Sequence, residues 1–403
     1  MVHFRKALLA ISAACLPLNS AVAADVSFSG FASAAGGQTM ESGEEYRGYG
    51  HATTFQPDTK LGFQANFAMG DGLNATMQIM GKSADSFATT MEWAFISKDV
   101  GDNWRFDFGR QRVPFYMYSS YLDVGIAYHW ITPPPGVYSI SFSSFDGLGA
   151  QHKTDLGDWT STLKLILGEH QSNLAVGGSE EEYPATLQDM MGLRWSAEYD
   201  WFTFELGYIH LDVSVDIPGV AAIAGELIQG GQDFSDTSML SAGERISLDG
   251  RTAEYINTGI RIDYEDYLLV AEYSDLQIDD GFSADQTSLY ISAGKTIGDF
   301  FLHATYTQDE DKPDYSITAN LHFSPPADPD PEKYADLEEA VAGAKGLLAG
   351  NAAESTSYIL GVNYKFHTNA VAKVEYTQYT DDLNSGASSN DADSIAFSID
   401  AAF

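Results

Sequence analysis

The chain has 403 residues, 44% of them hydrophobic, which is enough for a large folded domain. Its 57 acidic against 21 basic residues give a formal net charge of −36. That balance excludes a general nucleic-acid binder, because binding a polyanion needs cations that displace counterions. The only cysteine is Cys15, so a mature chain that begins after it has neither disulfides nor cysteine metal sites.

Residues 1–23 read as a secretory signal peptide. Arg5 and Lys6 form the positive start, an apolar stretch opens at Ala7 and runs to about Leu18, and Ala21-Val22-Ala23 is a small-x-small cleavage site. The mature unit is then a single domain, 24–403. No later segment offers the roughly 20 unbroken apolar residues of a membrane helix. An exported chain of this kind is either a soluble protein or an outer-membrane barrel.

Period-2 alternation dominates the mature chain. Tyr358, Leu360, Val362, Tyr364 and Phe366 alternate with Ile359, Gly361, Asn363 and Lys365. Predicted strands are 26–36, 59–69, 72–82, 89–99, 103–113, 146–156, 158–170 and 188–199 in the first half. In the second half they are 201–215, 252–265, 267–279, 286–297, 300–310, 356–366, 371–381 and 393–403. Tight turns fall at 69–72, 100–103, 156–158, around Asp200, around Asp266, at 298–299 and at 367–369, where Gly, Asn and Asp suit positive φ. Longer connections alternate with them, so both termini fall on the tight-turn side.

An even strand number with this alternation of turn lengths predicts an all-β fold: a 16-stranded antiparallel transmembrane β-barrel with long extracellular loops and short periplasmic turns. In hydrocarbon every backbone polar group must be paired within the protein, so the sheet must close. A soluble sandwich also alternates, but with strands nearer five or six residues. Aromatic residues beside the tight turns, including Trp93, Trp104, Trp159, Trp201, Tyr264, Tyr267, Phe300 and Phe366, suit an interfacial girdle.

Three connections stand out. Residues 114–145 carry one formal charge, Asp123, with many aromatics and the stiff Pro133-Pro134-Pro135. Such a loop is poorly placed in open water, so it is expected to fold into the barrel mouth or lumen or to pack at a subunit contact, with a cap packed only on neighbouring loops as the alternative. Residues 216–251 contain a short helical stretch from Pro218 to Ile228. Residues 311–355 contain a helix from Glu332 to Leu348, with Asp330 as its cap and Leu337, Val341, Ala344 and Leu348 on one side. Much of the acidic charge lies in loops (Glu44, Glu45, Glu180–Glu182, Asp328, Asp330, Asp381, Asp382) and reads first as a solvated face. Pairs of these carboxylates are candidate ligands for calcium, or for cation bridges to the phosphates of outer-membrane lipopolysaccharide, although no twelve-residue calcium-loop pattern occurs.

No phosphate loop, zinc-protease motif or serine elbow is found, so an enzyme is not the expected class. A sixteen-stranded barrel encloses a water channel. Candidate pore-lining and constriction residues are Arg105, Asp107, Arg110, Arg112, Asp123, Lys164, Arg261, Lys365 and Lys373. Arg110 and Arg112 share the alternation of Phe106 and Phe108. Either they stand above the lipid zone or a bulge switches their face; because a loop follows at once, a bulge or a strand end that puts them near the pore entrance is favoured.

The cleaved signal, the first strand Val26-Ser27-Phe28-Ser29-Gly30-Phe31, the Gly109-Arg110-Gln111 stretch, the long loop after it and the terminal Phe403 together resemble the general bacterial porin superfamily of Gram-negative outer membranes, most closely porins of marine gammaproteobacteria. The resemblance covers the whole chain. It implies a homotrimeric outer-membrane barrel, passive diffusion of ions and small hydrophilic solutes, and a third loop folded inward as a constriction. It also implies that Phe403 is the signal read by the barrel assembly machinery. In such porins the loop carries carboxylates facing basic wall residues, yet here only Asp123 supplies charge. Tyr118, Tyr121 and Trp130 are therefore a candidate stacking surface for sugars, with ordinary loop packing as the alternative. A saccharide- or anion-selective channel and a non-conducting surface barrel remain the competing functions.

Overall fold

The computed structural model describes residues 25–175, 182–324, 334–383 and 390–403. The expected signal peptide 1–23, the proline-rich stretch 325–331 with its expected cap Asp330, and the loop carboxylates Glu180, Glu181 and Asp328 lie outside the described residues.

Sixteen strands follow one another, as the alternation requires. They are β1 (Asp25–Thr39), β2 (Lys60–Gly70), β3 (Leu73–Lys82), β4 (Thr89–Val100), β5 (Trp104–Arg112) and β6 (Ser144–Leu156). Next come β7 (Trp159–Ala175), β8 (Glu182–Tyr199), β9 (Phe202–Val215), β10 (Arg251–Tyr264) and β11 (Tyr267–Ile278). The last are β12 (Asp285–Ile297), β13 (Phe300–Lys312), β14 (Ala353–His367), β15 (Ala370–Asp381) and β16 (Ala392–Ala402). Each pairs antiparallel with its sequence neighbours, and β1 pairs with β16, so the sheet closes. At the seam Gly30 and Phe403 exchange two backbone hydrogen bonds, 2.7 and 2.9 Å, and the Phe403 ring meets Phe63 edge-on at 5.9 Å.

The short turns use the residues that tolerate a left-handed backbone: Gly101, Gly157, Asp200 and Gly298 all have positive φ. The largest departure from the sequence reading is the 171–187 connection. β7 runs on to Ala175 and β8 begins at Glu182, because the alternation of that hairpin continues past the point where its outer face turns polar.

Large apolar side chains on one face of the wall point outward: Phe63, Ile96, Phe108, Leu148, Leu167, Ile256, Ile291, Leu360 and Ile399 are all at least one-third exposed. A continuous apolar exterior of this size is stable only against lipid. Trp104, Trp159, Trp201, Tyr264, Tyr267 and Phe300 ring the short-turn end. A second ring, Tyr208, Tyr273, Tyr358 and Tyr376, circles the outer face nearer the long loops. Trp93 is a correction to the girdle: it lies beside Phe95, whose ring faces the lumen residue Arg105.

Past the tyrosine ring the wall changes polarity. On β9 the outward residues become His210, Asp212 and Ser214, while Ile209, Leu211 and Val213 on the lumen side are buried. The simple rule of apolar outside and polar inside therefore holds only at membrane depth. Above it the hairpins behave like a water-soluble sheet with its apolar face turned inward.

Among the described residues, three helices cap the long-loop end: α1 (Pro218–Phe234), α2 (Thr237–Arg245) and α3 (Ala335–Gly350). The 216–251 connection thus holds two helices. Asp236 caps the second, accepting from Ser238 N at 2.8 Å and Met239 N at 3.2 Å. Leu227, Met239, Leu337, Val341, Ala344 and Leu348 form a small apolar core of their own, apart from that of the barrel.

Candidate functional site

The connection between β5 and β6, hereafter the inward loop, lies inside the barrel. Two short 3-10 turns, Ser119–Tyr121 and Gly125–Ala127, are its only regular structure. Inside the wall its backbone loses water, and each buried N–H and C=O needs a partner. The wall supplies them from side chains. Arg194 donates to the carbonyls of Pro114 and Phe115, at 3.3 and 3.1 Å. Glu272 accepts from Met117 N at 2.7 Å, Glu375 from Ile131 N at 3.0 Å, and Asn363 donates to His129 O at 2.8 Å. Lys373 donates to the carbonyls of Gly125, Tyr128 and Trp130 at 2.6, 2.9 and 2.5 Å, and pairs with Asp400 at 3.1 Å.

Side chains complete the attachment. Trp130 Nε1 donates to Thr305 at 2.9 Å, and the His129 ring meets Ser292 at 2.8 Å. Burial, with His303, Lys373 and Arg261 nearby, pushes His129 well below the ordinary histidine value, so its ring is neutral. Tyr118, Trp130 and Phe145 have no exposed surface, packed with Ile166, Leu187, Ile209 and Tyr290 of the wall. Burying a ring of that size is worth ~1.5–3 kcal/mol, so the loop is fixed by apolar contact as well as by its hydrogen bonds.

The candidate pore residues do not all stand together. Arg105, Asp107, Lys164 and Arg261 stand on the lumen wall. Arg105 pairs with Asp107 at 2.9 Å, Arg261 with Asp263 at 2.7 Å, and Arg261 also donates to the Tyr118 hydroxyl at 3.2 Å. Lys373 is a loop anchor and is only 1% exposed. Lys365 lies at the short-turn end of β14, where its backbone N–H bonds Asp299 O at 2.9 Å, remote from the loop.

Arg110 corrects the favoured reading. It stays on the outer face with Phe108 and pairs with Asp146 of β6 at 2.5 Å, past the lipid-facing stretch. Gly109, at φ +123° with Ala94 O against the position a Cβ would take, distorts β5 just before it without switching its face. Arg112, at the strand end, does turn to the loop: it bonds Asp123 at 2.5 Å and lies 3.7 Å from Glu92.

Burial alone would raise the Asp123 carboxyl. Arg112, backed by Lys60 and Lys82, instead holds it at about 2. A carboxyl lowered on folding contributes stability that is complete above its unfolded value, ~3.9, and is lost as pH falls through the folded one. The difference in thermal midpoint between the wild-type barrel and Asp123→Asn is therefore expected to be constant from pH 7 to ~4 and to vanish toward pH 2. Heat-modifiability gels across that range measure it.

For the stacking candidates, Tyr118 and Trp130 present no face to solute, because both are sealed between loop and wall. Tyr121 is 37% exposed, among Arg194, Glu205 and Arg261. Sequence reasoning missed Lys60, Lys82, Arg194, Glu272 and Asn363 as parts of the site. Their signal was a lone polar or charged residue on the lumen face of a strand. Among the described residues no three His, Cys, Asp or Glu side chains gather as a metal site would.

Beside the loop lies a polar cavity of about 730 Å³ that includes Glu44, Glu45, Arg47, Asp309 and Asp311. Arg47 bonds Thr132 of the inward loop and lies 3.9 Å from Asp58. This vestibule lies at the long-loop end of the lumen.

A closed sixteen-stranded wall with an apolar belt and a loop fastened across its lumen defines the class of outer-membrane β-barrels built like channels. The model of the Gram-negative porin family matches residues 7–384, and the chain belongs to that family. Solved structures share the fold. A loop-L8 deletion mutant of OmpT, an outer membrane protein of Vibrio cholerae, is 12% identical with a TM-score of 0.55, over 94% of this chain and 100% of that one. OmpF of Salmonella typhi in complex with daunomycin is 15% identical with a TM-score of 0.55, over 94% and 98%. The trimer form of Vibrio cholerae OmpT is 13% identical with a TM-score of 0.53, over 94% and 100%. Among curated proteins, none matches the chain.

Proposed function

We propose that the chain is exported by its signal peptide and forms a water-filled channel for passive diffusion of ions and small hydrophilic solutes across the outer membrane. It is read as a channel rather than an enzyme, with the long loops outside the cell, and within its family we assign it to the marine gammaproteobacterial branch. The observation that carries the reading is the state of the lumen charges. Arg105 and Arg261 are about one-third exposed, and each is neutralised by a carboxylate two residues away on its own strand. Such pairs keep the wall wet without setting up a strong transverse field. The vestibule is more acidic than basic and concentrates cations.

A homotrimer is part of the proposal. It rests on the family, and a trimer form is described for Vibrio cholerae OmpT. Lipopolysaccharide around the barrel and the assembly machinery acting on Phe403 are its expected partners.

Planar-bilayer recording of the refolded mature protein tests the reading. Steps in groups of three are expected, with a reversal potential slightly on the cation side that shrinks as salt is raised. A folded barrel that never conducts would overturn it in favour of a non-conducting surface barrel closed by its inward loop and helical cap. A strong anion preference would show that Arg105, Lys164 and Arg261 act unpaired.

A further inference from the structure

Diffusion of hydrophilic solutes gives no use to an apolar cavity beside the inward loop. It has a volume of about 360 Å³ and lies between the inward loop and strands β7 to β12. Leu187, Leu211, Tyr255 and Leu276 line it from the wall, and Phe115 and Phe142 from the loop. No formally charged residue borders it; its polar groups are serines, the Tyr255 hydroxyl and Gln286. Ser139 and Gln286 also border the acidic vestibule, so the two spaces adjoin.

We propose that this cavity binds a small neutral aromatic or aliphatic solute carrying one hydrogen-bonding group, admitted from the vestibule. Three observations carry the assignment. First, its size is that of a small-ligand site. Second, the same loop–wall interface is filled elsewhere, where Tyr118, Trp130 and Phe145 lose all exposure. The corner beside the vestibule is left open, with Ile140, Phe142, Leu174, Leu276 and Ile278 part-covered. An open corner walled by leucine and isoleucine holds water poorly, whereas a ring of matching shape would gain the contacts its lining lacks. Third, Phe115, Phe142 and Tyr255 offer ring faces and edges, with Phe115 edge-on to both others at 5.2 Å. An ion would lose its hydration with no counter-charge, and a sugar would leave most of its hydroxyls unpaired, so both are rejected.

The test is fluorine NMR titration of the folded barrel in amphipol with 4-fluorobenzyl alcohol, and with 3-fluoro-3-deoxyglucose as the hydrophilic comparison. Saturable line broadening is expected with the alcohol and none with the sugar. Leu276→Glu places a carboxylate in the wall. Ser141→Trp fills the space from an exposed loop position that tolerates a ring. Each is expected to weaken the alcohol about tenfold or more. Should Leu276→Glu fail to fold, Ser141→Trp alone decides. The proposal is overturned by non-saturable binding, by an affinity that Ser141→Trp leaves unchanged, or by equal binding of the sugar. The readout needs no current, so a silent barrel that still binds the alcohol would sink the diffusion reading and leave this one standing.

Discussion

Lys373→Met is expected to give a noisier, larger open-channel current and a barrel less stable by about 3–5 kcal/mol, the cost of leaving one member of a buried ion pair alone. The ammonium of Lys373 holds three loop carbonyls at once, and no other wall residue bonds the segment Gly125–Trp130 through so many contacts. Without it those carbonyls lose their donor, and Asp400, 1% exposed, is left with Ser398 as its hydrogen-bonding neighbour among the described residues. The loop should then sample positions farther from the wall. Single-channel recording reads the current, and the heat-modifiability midpoint reads the stability. The double variant Lys373→Met/Asp400→Asn should recover part of the midpoint while the current stays large, because only the buried charge has been removed. An unchanged current in the folded single variant would show that the aromatic packing alone fixes the loop.

Glu272→Ala has the second largest expected effect. One carboxylate accepts from Met117 N at 2.7 Å, from the Tyr290 hydroxyl at 2.7 Å and from the Tyr138 hydroxyl. Each donor left buried without a partner costs about 1–3 kcal/mol. Tyr290 has no exposed surface from which to reach water. The expected outcome is a fall of several kcal/mol in stability and a loss of near-ultraviolet circular dichroism from the loosened rings. Glu272→Gln, which keeps one carbonyl oxygen as acceptor, should fall between the two. A Glu272→Ala barrel as stable as the wild type would mean that water replaces the carboxylate and that the loop root is wetter than its burial indicates.

The alternation of strands such as β13 and β14 made the closed wall legible, because lipid on one side and water on the other write a two-residue period. The inward loop was legible for a different reason: residues 114–145 hold a single charge amid aromatics, and such a segment must find cover. The use of the wall charges was not legible. Lys373 looks like Arg105 in the sequence, each a cation on a lumen face. One anchors three carbonyls and the other faces open space with Asp107. Nothing local separates them, since the difference lies in where a loop more than two hundred residues away comes to rest. Arg110 failed for the opposite reason. Its pattern placed it outside correctly, and the loop that follows at once made a turn toward the pore entrance look attractive. The wall of β9 changes rules partway along, since Ile209, Leu211 and Val213 face a loop rather than water.

The seam between β1 and β16 carries a consequence for how the chain reaches this state. The first strand finds its second neighbour only in the last, and Gly30 bonds the terminal residue itself. Every species that lacks β16 therefore has two unpaired sheet edges, which hydrocarbon cannot solvate and which invite pairing with other chains. Hairpins can form in sequence order, but the closing contact spans nearly the full length and must come late. A nascent or truncated barrel is thus at risk of sheet-edge aggregation until its final strand arrives, and the last step of its folding is a ring closure rather than a collapse.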